Sequence, residues 1–393
     1  MTGYRVMLVA AEASGDALGG ALAGALRARL GADLRLIGVG GPRMSEQGIS
    51  SPFEITALSV LGVVDALRAY PTVLRLARRT AELARREKPD GVVLIDSWGF
   101  NLRVARRLRQ IRPRPILIKY VAPQVWATRP GRARTLAMAV DHLLTIHVFD
   151  APYFESQGLA VTFVGNPALQ RDFSQADASG LRARIGAMPE QPVLLLLPGS
   201  RRGEVDRLLP PFEEAVARLR SERPRLRILL APADAFADEI KARVAVWRYP
   251  VDIVEGEAGR SAAMRAATVA LACSGTVTTE LALAGCPMVV AYRLGPITHA
   301  VVKRLIRTRY ITLFNVAAQA FVAPEMVQEA CTGESLAREV ALRLDDPALR
   351  VRQVAAQTAA LALMKGGIDD PIGAAADAIV ALLRASHTDI RTV

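Results

Sequence analysis

A loop in the second half of the sequence carries residues suited to holding a phosphate group. The letters Leu-Pro-Gly-Ser-Arg occupy positions 197–201, directly after an apolar run that predicts a strand. The turn at Gly199 and Ser200 exposes backbone N–H groups, and Arg201 adds a permanent positive charge beside them. The Gly-Lys-Ser/Thr ending of a P-loop is absent. The segment therefore predicts either a different phosphate cradle or an exposed basic turn.

A second loop of the same half offers another anion site and a carboxylate. Ser274, Gly275 and Thr276 precede a predicted helix, whose first N–H groups lack partners within the helix. Glu280 lies one helical turn further on, where a carboxylate can accept hydrogen bonds from both hydroxyls of a ribose or simply balance the helix dipole. Two phosphate-binding loops and a carboxylate together favour a nucleotide diphosphate-sugar as the ligand.

One carboxylate of the first half is placed for acid–base chemistry. Asp96 follows the apolar run 91–95, and ligands of open α/β sheets bind at the carboxyl ends of the strands. A carboxylate at that position can act as a general base. Aspartate also caps helices, and the residues alone leave both roles open.

Two further loops of the first half combine small, polar and basic residues. The first, after the opening strand, holds a Ser-Gly-Asp turn without the G-x-G-x-x-G spacing of dinucleotide-binding proteins. The second, over 120–132, contains prolines, a tryptophan and arginines, which can stack on a ring and grip an anion. A tight turn and a rigid structural loop are the respective alternatives. The candidate cleft residues of these loops are Glu12, Ser14, Gly15, Asp16, Trp126 and Arg129.

One predicted helix has an apolar face followed by an arginine-rich end. Val60, Val63, Val64 and Leu67 fall at the i, i+3, i+4 and i+7 positions, and arginines follow within 75–79. This pattern suits a helix lying on an anionic membrane surface, and it suits an ordinary core helix equally well. Without further context the core helix is the favoured interpretation.

Short apolar segments alternate with longer ones that are rich in Ala, Leu and Arg. The apolar segments are dense in Val, Ile and Leu and do not alternate with polar residues, which is typical of buried parallel strands. Segments rich in Ala, Leu and Arg favour helices, so the sequence predicts an α/β fold built from βαβ units. The predicted strands are 4–10, 34–39, 91–95, 115–121, 142–146, 161–165, 193–197, 226–231, 251–254, 268–272 and 287–292.

The alternation is interrupted once, over about 166–190, where the chain is polar and lacks a clear strand. A tail over about 336–385 is almost wholly helical in composition. The sequence therefore predicts two consecutive α/β units joined near 170–190, in keeping with a length of 393 residues.

Composition narrows the classes of partner. Hydrophobic residues make up 51% of the chain, which excludes a disordered protein, and the longest apolar runs fall far short of the roughly 20 residues that span a bilayer. The formal net charge of +12 favours anionic partners, although a genome-wide arginine bias would produce the same excess. With only 5% aromatic residues and no docking motif, nucleic acid is the least favoured of these partners.

The reactive side chains suggest neither disulfides nor a metal. Three cysteines form an odd number at spacings that fit neither a disulfide framework nor a zinc site. Four histidines form no recognisable ligand set. A strand is predicted almost at residue 1, which leaves no room for a secretory signal, so the chain is expected to be cytosolic.

Several of these segments, taken in order, resemble the motifs of lipid-A-disaccharide synthases. The resemblance extends over about residues 5–330 and is specific in combination. The matching segments are Ala11–Asp16, Gly40–Met44, Ile95–Asp96 with Phe100–Asn101, Pro123 with Val125–Ala127, Leu197–Arg201 with Glu204–Val205, Ser274–Thr276 with Glu280, Cys286–Arg293, and Asn315 with Pro324–Glu325 and Gln328.

The sequence also departs from the family pattern at positions around the expected cleft. These departures put acyl-chain preference and individual sugar contacts in question, whereas the main functional positions are kept. The departing residues are Ala11, Trp98, Gly99, Ala122, Gln124, Thr128, Thr279 and Gln319–Phe321.

The resemblance implies a GT-B glycosyltransferase, in which two Rossmann-like parallel-sheet domains face a central cleft. The expected N-terminal domain, 1–170, serves the acceptor and the membrane, and the expected C-terminal domain, 171–355, binds the UDP-sugar donor. Helices over 356–393 are expected as a separate segment that can pack back on the N-terminal domain by analogy with other GT-B enzymes.

The implied reaction is an inverting transfer that needs neither metal nor cofactor. UDP-2,3-diacylglucosamine reacts with 2,3-diacylglucosamine 1-phosphate to give a β-1,6-linked disaccharide 1-phosphate and UDP. Asp96 is the implied base. The implied donor-binding residues are Gly199, Ser200, Arg201, Ser274, Gly275, Thr276, Glu280, Asn315 and Gln328.

Acylated substrates favour the membrane interpretation of the helix around Val60, Val63, Val64 and Leu67. The resemblance thus implies a cytoplasmic enzyme, peripheral on the anionic inner face of the inner membrane, and leaves a homodimer open. Two classes of alternative stay open as well. One is another GT-B enzyme on a UDP-sugar, either a glycosyltransferase with a polyprenyl-linked acceptor or a UDP-sugar epimerase. The other is a silent nucleotide- or lipid-binding protein at the membrane.

Overall fold

A computed structural model of the chain describes residues 3–58, 63–295, 299 and 308–391, with side chains except at 57, 63–69 and 387–391. The chain divides into two compact units. Unit 1 comprises Met1–Pro167 together with Lys365–Val393, and unit 2 comprises Ala168–Met364.

Unit 1 is built on a six-stranded sheet with the strand order β2-β1-β3-β4-β5-β6. All of its neighbouring strands pair in parallel, for example with Val9 opposite Leu94. Parallel strands buried on both faces need continuous apolar sequence, which is why β1 and β3 have no alternating polar positions. The strands are β1 Tyr4–Ala10, β2 Leu34–Val39, β3 Gly91–Ile95, β4 Ile116–Tyr120, β5 His142–Thr145 and β6 Ala160–Phe163.

Helices cover the unit 1 sheet, and the last helix of the chain is one of them. The side chains of Ala376, Ile379 and Leu383 enter the same core as β1 and β3. A methyl group on Gly91 would lie 2.8 Å from a methyl carbon of Leu383, so this close approach depends on glycine. The helices of unit 1 are Ala13–Leu30, Pro42–Ser45, Val63–Glu87, Trp98–Leu108, Gly131–Ala137, Ala151–Glu155 and Pro371–Arg391.

Unit 2 repeats this plan with the strand order β12-β11-β10-β7-β8-β9. Its neighbouring strands are again parallel, with Leu194 opposite Val269 at the centre. Alternate residues of β7 enter two separate cores, Leu195 on one face and Leu196 on the other. The strands are β7 Val193–Leu197, β8 Arg227–Leu230, β9 Asp252–Ile253, β10 Val269–Cys273, β11 Met288–Tyr292 and β12 Glu325–Val327.

The helices of unit 2 connect these strands and continue past the sheet. Two long helices follow β12 and carry the chain to the boundary at Met364. The helices are Ala178–Arg184, Arg202–Glu222, Ala237–Val244, Gly256–Ala266, Thr276–Leu283, Leu313–Ala318, Gly333–Asp345 and Pro347–Lys365.

The architecture confirms the predicted fold class of two Rossmann-like parallel sheets. The predicted boundary after residue 355 falls inside the helix Pro347–Lys365, and the structure instead divides the chain after Met364. Strand β12 was not predicted. Within the described residues, no helix is both long and apolar enough to cross a membrane.

The predicted membrane-facing positions are only partly described. Val60 lies outside the described residues, and the helix Val63–Glu87 includes Val63, Val64 and Leu67 without describing their side chains. The choice between a core face and a membrane face for these positions stays a prediction.

Candidate active site

Asp96 stands at the carboxyl end of β3 in a strained turn. Asp96 has φ +48° and Ser97 φ +35°, and Val121, at the end of the neighbouring strand β4, has φ +72°. Residues other than glycine rarely adopt these backbone angles. Such strained residues persist only where the surrounding structure holds them, and they cluster at functional sites. The partly buried Asp96 carboxylate accepts a 3.4 Å hydrogen bond from the Ser14 hydroxyl. The end of β3 therefore presents a carboxylate in a fixed direction.

Two buried side chains stabilise this turn by hydrogen bonds to its backbone carbonyl oxygens. The Asn101 amide donates to the carbonyl oxygens of Ile95 at 2.7 Å and Asp96 at 2.9 Å. The Lys119 ammonium donates to the carbonyl oxygens of Asp96 at 2.6 Å and Tyr120 at 3.0 Å, and only 3% of Lys119 is exposed. Lys119 was not predicted, although a charged residue within an apolar strand is a signal that could have identified it.

Burial changes the acidity of Lys119. The loss of hydration lowers its pKa to about 7, against the opposing attraction of the Asp96 and Glu12 carboxylates. In the unfolded chain the lysine side chain has its ordinary pKa of about 10.4. Between pH 7 and 10 the unfolded chain therefore binds more protons at this residue than the folded chain does. Stability contributed by this group therefore rises with pH across that window.

Urea unfolding at pH 7.5 and 9 tests this consequence. We expect the free energy of unfolding of the wild type to rise by up to about 2 kcal/mol more than that of Lys119→Met, because the variant lacks the titrating group. Equal changes in the two proteins would show that the Lys119 ammonium does not carry a lowered pKa.

The loop after β1 places its predicted residues in two different settings. Glu12 and Ser14 are exposed, and Gly15 lies against Asp96, whose β-carbon is 3.8 Å from where a Gly15 methyl group would be. Asp16 is buried and accepts hydrogen bonds of 2.7–3.1 Å from the backbone N–H groups of Gly41, Arg43 and Met44. Its carboxylate positions the loop after β2, and its predicted place in the cleft stays a prediction.

The tryptophan loop also places its two predicted residues in different settings. Trp126 is 7% exposed and packs edge-to-face on Phe149, with ring centroids 5.4 Å apart. Beside it, burial lowers the pKa of His147 to about 4 and raises the pKa of Asp150 to about 7. Trp126 belongs to this buried cluster, whereas Arg129 is exposed, and ligand contact by either residue stays a prediction.

In unit 2, the loop after β7 is organised by a carboxylate. Glu204 accepts hydrogen bonds from the backbone N–H groups of Ser200 at 3.1 Å and Arg201 at 3.2 Å, and from the Arg201 guanidinium at 2.8 Å. Gly199 has φ +115° and lies against the Glu204 side chain. The predicted cradle is therefore a tight turn whose N–H groups at 200 and 201 are already paired.

This turn lines a pocket of unit 2 together with the other predicted anion loop. The pocket is formed by residues from the ends of β7, β8 and β10 and by Arg260 and Glu280. Gly275 and Thr276 bring the start of the helix Thr276–Leu283 to it, where the first N–H groups are free of intrahelical partners. Ser274 lies in the same wall. The predicted donor residues of both loops are thus brought together, apart from the Arg201 side chain.

Glu280 is held by a partner far away in the sequence. The Arg171 guanidinium donates to one Glu280 oxygen at 2.6 Å and to the Ser261 hydroxyl at 3.1 Å. It also forms a 3.1 Å ion pair with Glu257 and lies over the Phe173 ring. Sequence reasoning could not find Arg171, because it lies in the polar stretch without a recognisable pattern.

The side chains of Asn315 and Gln328 both make hydrogen bonds within the protein. Asn315 is fully buried, donates to Ala323 and Glu325, and accepts from the N–H groups of Val322 and Ala323. Its amide is hydrogen-bonded within its own surroundings, and its contact with the donor stays a prediction. Gln328 accepts a 2.6 Å hydrogen bond from the Leu294 N–H, and neither residue lines the pocket described above.

Comparison with known sequences covers nearly the whole chain. The model of the family described as lipid-A-disaccharide synthetase matches residues 6–369. A lipid-A-disaccharide synthase of Rhodospirillum centenum is 41% identical over 375 residues, which cover 95% of this chain and 94% of the relative. Another from Nitrobacter hamburgensis is 41% identical over 384 residues, covering 98% and 96%.

Comparison with solved structures supports the fold. A UDP-GlcNAc 2-epimerase from Neisseria meningitidis bound to UDP-GlcNAc matches with a TM-score of 0.58 and 12% identity, covering 97% of this chain and 99% of that one. A glycosyltransferase from Rickettsia africae matches with a TM-score of 0.57 and 10% identity, covering 98% and 99%. At such low identity the likeness extends to the fold alone.

Proposed function

Because the chain belongs to the lipid-A-disaccharide synthase family, it is a glycosyltransferase of lipid A biosynthesis, and we propose which substrates it joins. The donor is UDP-2,3-diacylglucosamine, and the acceptor is 2,3-diacylglucosamine 1-phosphate. Transfer forms a β-1,6-linked disaccharide 1-phosphate and releases UDP. The observation that supports this proposal beyond family membership is the unit 2 pocket, which is lined by the turn at Gly199, the start of the helix Thr276–Leu283 and the Glu280 carboxylate.

The diphosphate and the ribose of the donor each have a suitable binding group in that pocket. Backbone N–H groups at Gly275 and Thr276 can bind the diphosphate, because a helix start attracts anions. Glu280 keeps one oxygen without the Arg171 bond, and this oxygen can accept a ribose hydroxyl. Arg171 thereby fixes the carboxylate in its place.

The reaction exchanges one bond for another at the anomeric carbon of the donor. The acceptor 6-hydroxyl oxygen attacks this carbon, the bond to the diphosphate oxygen breaks, and the configuration inverts. Asp96 takes the proton of the attacking hydroxyl as general base. Negative charge growing on the leaving diphosphate is stabilised by donors that are already oriented in the pocket.

Acceptor dependence tests the proposed reaction. We expect the purified chain in detergent micelles to release UDP from the diacylated donor only when the acceptor phosphate is present. Conversion of the UDP-sugar without an acceptor would favour an epimerase. UDP binding without any turnover would favour a silent binding protein.

We propose further that the enzyme works on the anionic inner face of the inner membrane, through the helix that begins at Val63. Both substrates carry acyl chains, and the net charge of +12 suits an anionic surface. The apolar spacing of Val60, Val63, Val64 and Leu67 supports membrane contact at this helix.

A substitution at the apolar face tests this placement. Leu67→Glu is expected to weaken binding to phosphatidylglycerol vesicles by about 10-fold or more, because one large apolar side chain no longer enters the bilayer. The matched control is Val246→Glu, at an 83% exposed position of unit 2, which should leave vesicle sedimentation unchanged. A fall in thermal stability of Leu67→Glu without a change in vesicle binding would instead identify a core helix.

A further inference from the structure

A partly buried arginine in the unit 2 pocket has no assigned role. Arg260 lies in the helix Gly256–Ala266 and contributes to the pocket wall together with Ser274, Gly275 and Glu280. It belongs to none of the motifs discussed above. Because it lines the same pocket as a helix start and a carboxylate, it brings a permanent positive charge to the proposed donor site.

The other charges around this pocket are already compensated. Glu204 is paired with Arg201 at 2.8 Å, and two backbone N–H groups also point to that carboxylate. Glu280 is paired with Arg171 at 2.6 Å. Each carboxylate in the wall therefore has its own cation, and neither needs Arg260.

Arg260 itself is not engaged in the same way. Among the described residues, no hydrogen bond or ion pair involves its guanidinium, whereas Arg171 and Arg201 both have carboxylate partners. The two carboxylates of the wall are paired with other arginines, so Arg260 contributes a positive charge to the wall that no described carboxylate pairs. A partly buried, uncompensated guanidinium is suited to an anion that can accept two parallel N–H bonds.

We propose that Arg260 binds the diphosphate of the nucleotide donor and supplies the positive charge that the leaving UDP requires. This inference rests on the proposed donor and adds a residue to its site. The guanidinium completes a set of donors with the N–H groups of the helix Thr276–Leu283, while Arg201 organises the turn after β7 by pairing with Glu204. As the glycosidic bond breaks, charge accumulates on the diphosphate, so Arg260 stabilises the transition state as well as the bound donor.

Calorimetric titration of the full chain with UDP, UMP and uridine tests the proposal. Arg260→Gln is expected to weaken UDP binding by about 10-fold to 100-fold, the range for a lost hydrogen bond to a charged group. Uridine has no phosphate, so its affinity should not change. Arg260→Lys keeps the charge and should recover part of the UDP affinity.

The matched control is Arg225→Gln, which makes the same change in net charge at an exposed position of the same unit. It should bind UDP like the wild type. Unchanged UDP affinity in Arg260→Gln, an equal loss for uridine, or no recovery in Arg260→Lys would each overturn the proposal. A wild-type chain that does not bind UDP would overturn the proposed donor as well, and this result differs from the other three.

Discussion

Asp96→Asn is expected to lower the rate of disaccharide formation by about 100-fold to 10,000-fold, the range for loss of a general base. The amide keeps the size of the carboxylate but cannot take a proton from the acceptor hydroxyl. The turn should persist, because Asn101 and Lys119 bind the backbone carbonyl of residue 96 and not its side chain. The measurement is kcat at saturating donor and acceptor, with UDP affinity measured in parallel.

Asp33→Asn is the matched control, since Asp33 is an exposed aspartate of the same unit. It should retain wild-type kcat. UDP affinity should be equal in all three proteins, because the proposed donor pocket lies in unit 2. A variant at Asp96 that keeps wild-type kcat would show that another group is the base.

Gly199→Ala is expected to weaken UDP binding by about 10-fold to 100-fold, because backbone strain of about 1–3 kcal/mol falls on the turn that forms the pocket wall. The backbone at Gly199 has φ +115°, an angle that residues other than glycine rarely adopt. An added methyl carbon would also lie 2.7 Å from the β-carbon of Glu204 and displace the carboxylate that orders the turn. The effect can be measured by titration with UDP.

Gly186→Ala separates strain at the pocket from strain in general. Gly186 has φ +65°, in the same unit, and an added methyl group would meet no atom within 4 Å. This variant should bind UDP like the wild type, even if its melting temperature falls. Equal UDP affinities for Gly199→Ala and Gly186→Ala would mean that the turn after β7 does not shape the donor site.

The central strands could be predicted because a strand that is buried on both faces appears in the sequence as a continuous apolar run. The predicted segment 193–197 coincides with β7, and 91–95 coincides with β3, since both strands are apolar on both faces. Strand β12 was missed for the opposite reason. It has only three residues, all partly buried, and begins with a glutamate directly after Pro324, so its pairing with β11 gives no local sequence pattern.

Candidate site residues could be predicted where position along a strand determines them. Asp96 follows β3 directly and Gly199 lies two residues after β7, and the carboxyl end of a parallel strand is where ligands bind. Their partners could not be predicted. The pair Arg171 and Glu280 is separated by 109 residues, so the fold alone creates the contact.

Two of the polar residues predicted to contact a ligand are hydrogen-bonded to backbone groups of the protein. Asp16 and Asn315 occur in loops near predicted sites, and their residue types suit ligand binding. In the structure, both side chains accept hydrogen bonds from nearby backbone N–H groups. Buried polar groups must be hydrogen-bonded, and a single sequence does not reveal whether a protein group or a ligand satisfies them.

The most direct measurement of the enzyme's activity is product formation from UDP-2,3-diacylglucosamine and 2,3-diacylglucosamine 1-phosphate in detergent micelles. Wild type and Asp96→Asn are compared for released UDP and for disaccharide 1-phosphate. We predict one UDP for each disaccharide in the wild type, no release without acceptor, and near-complete loss in the variant. Wild-type protein that binds UDP yet forms no disaccharide, or that converts the donor without an acceptor, would contradict the proposed reaction.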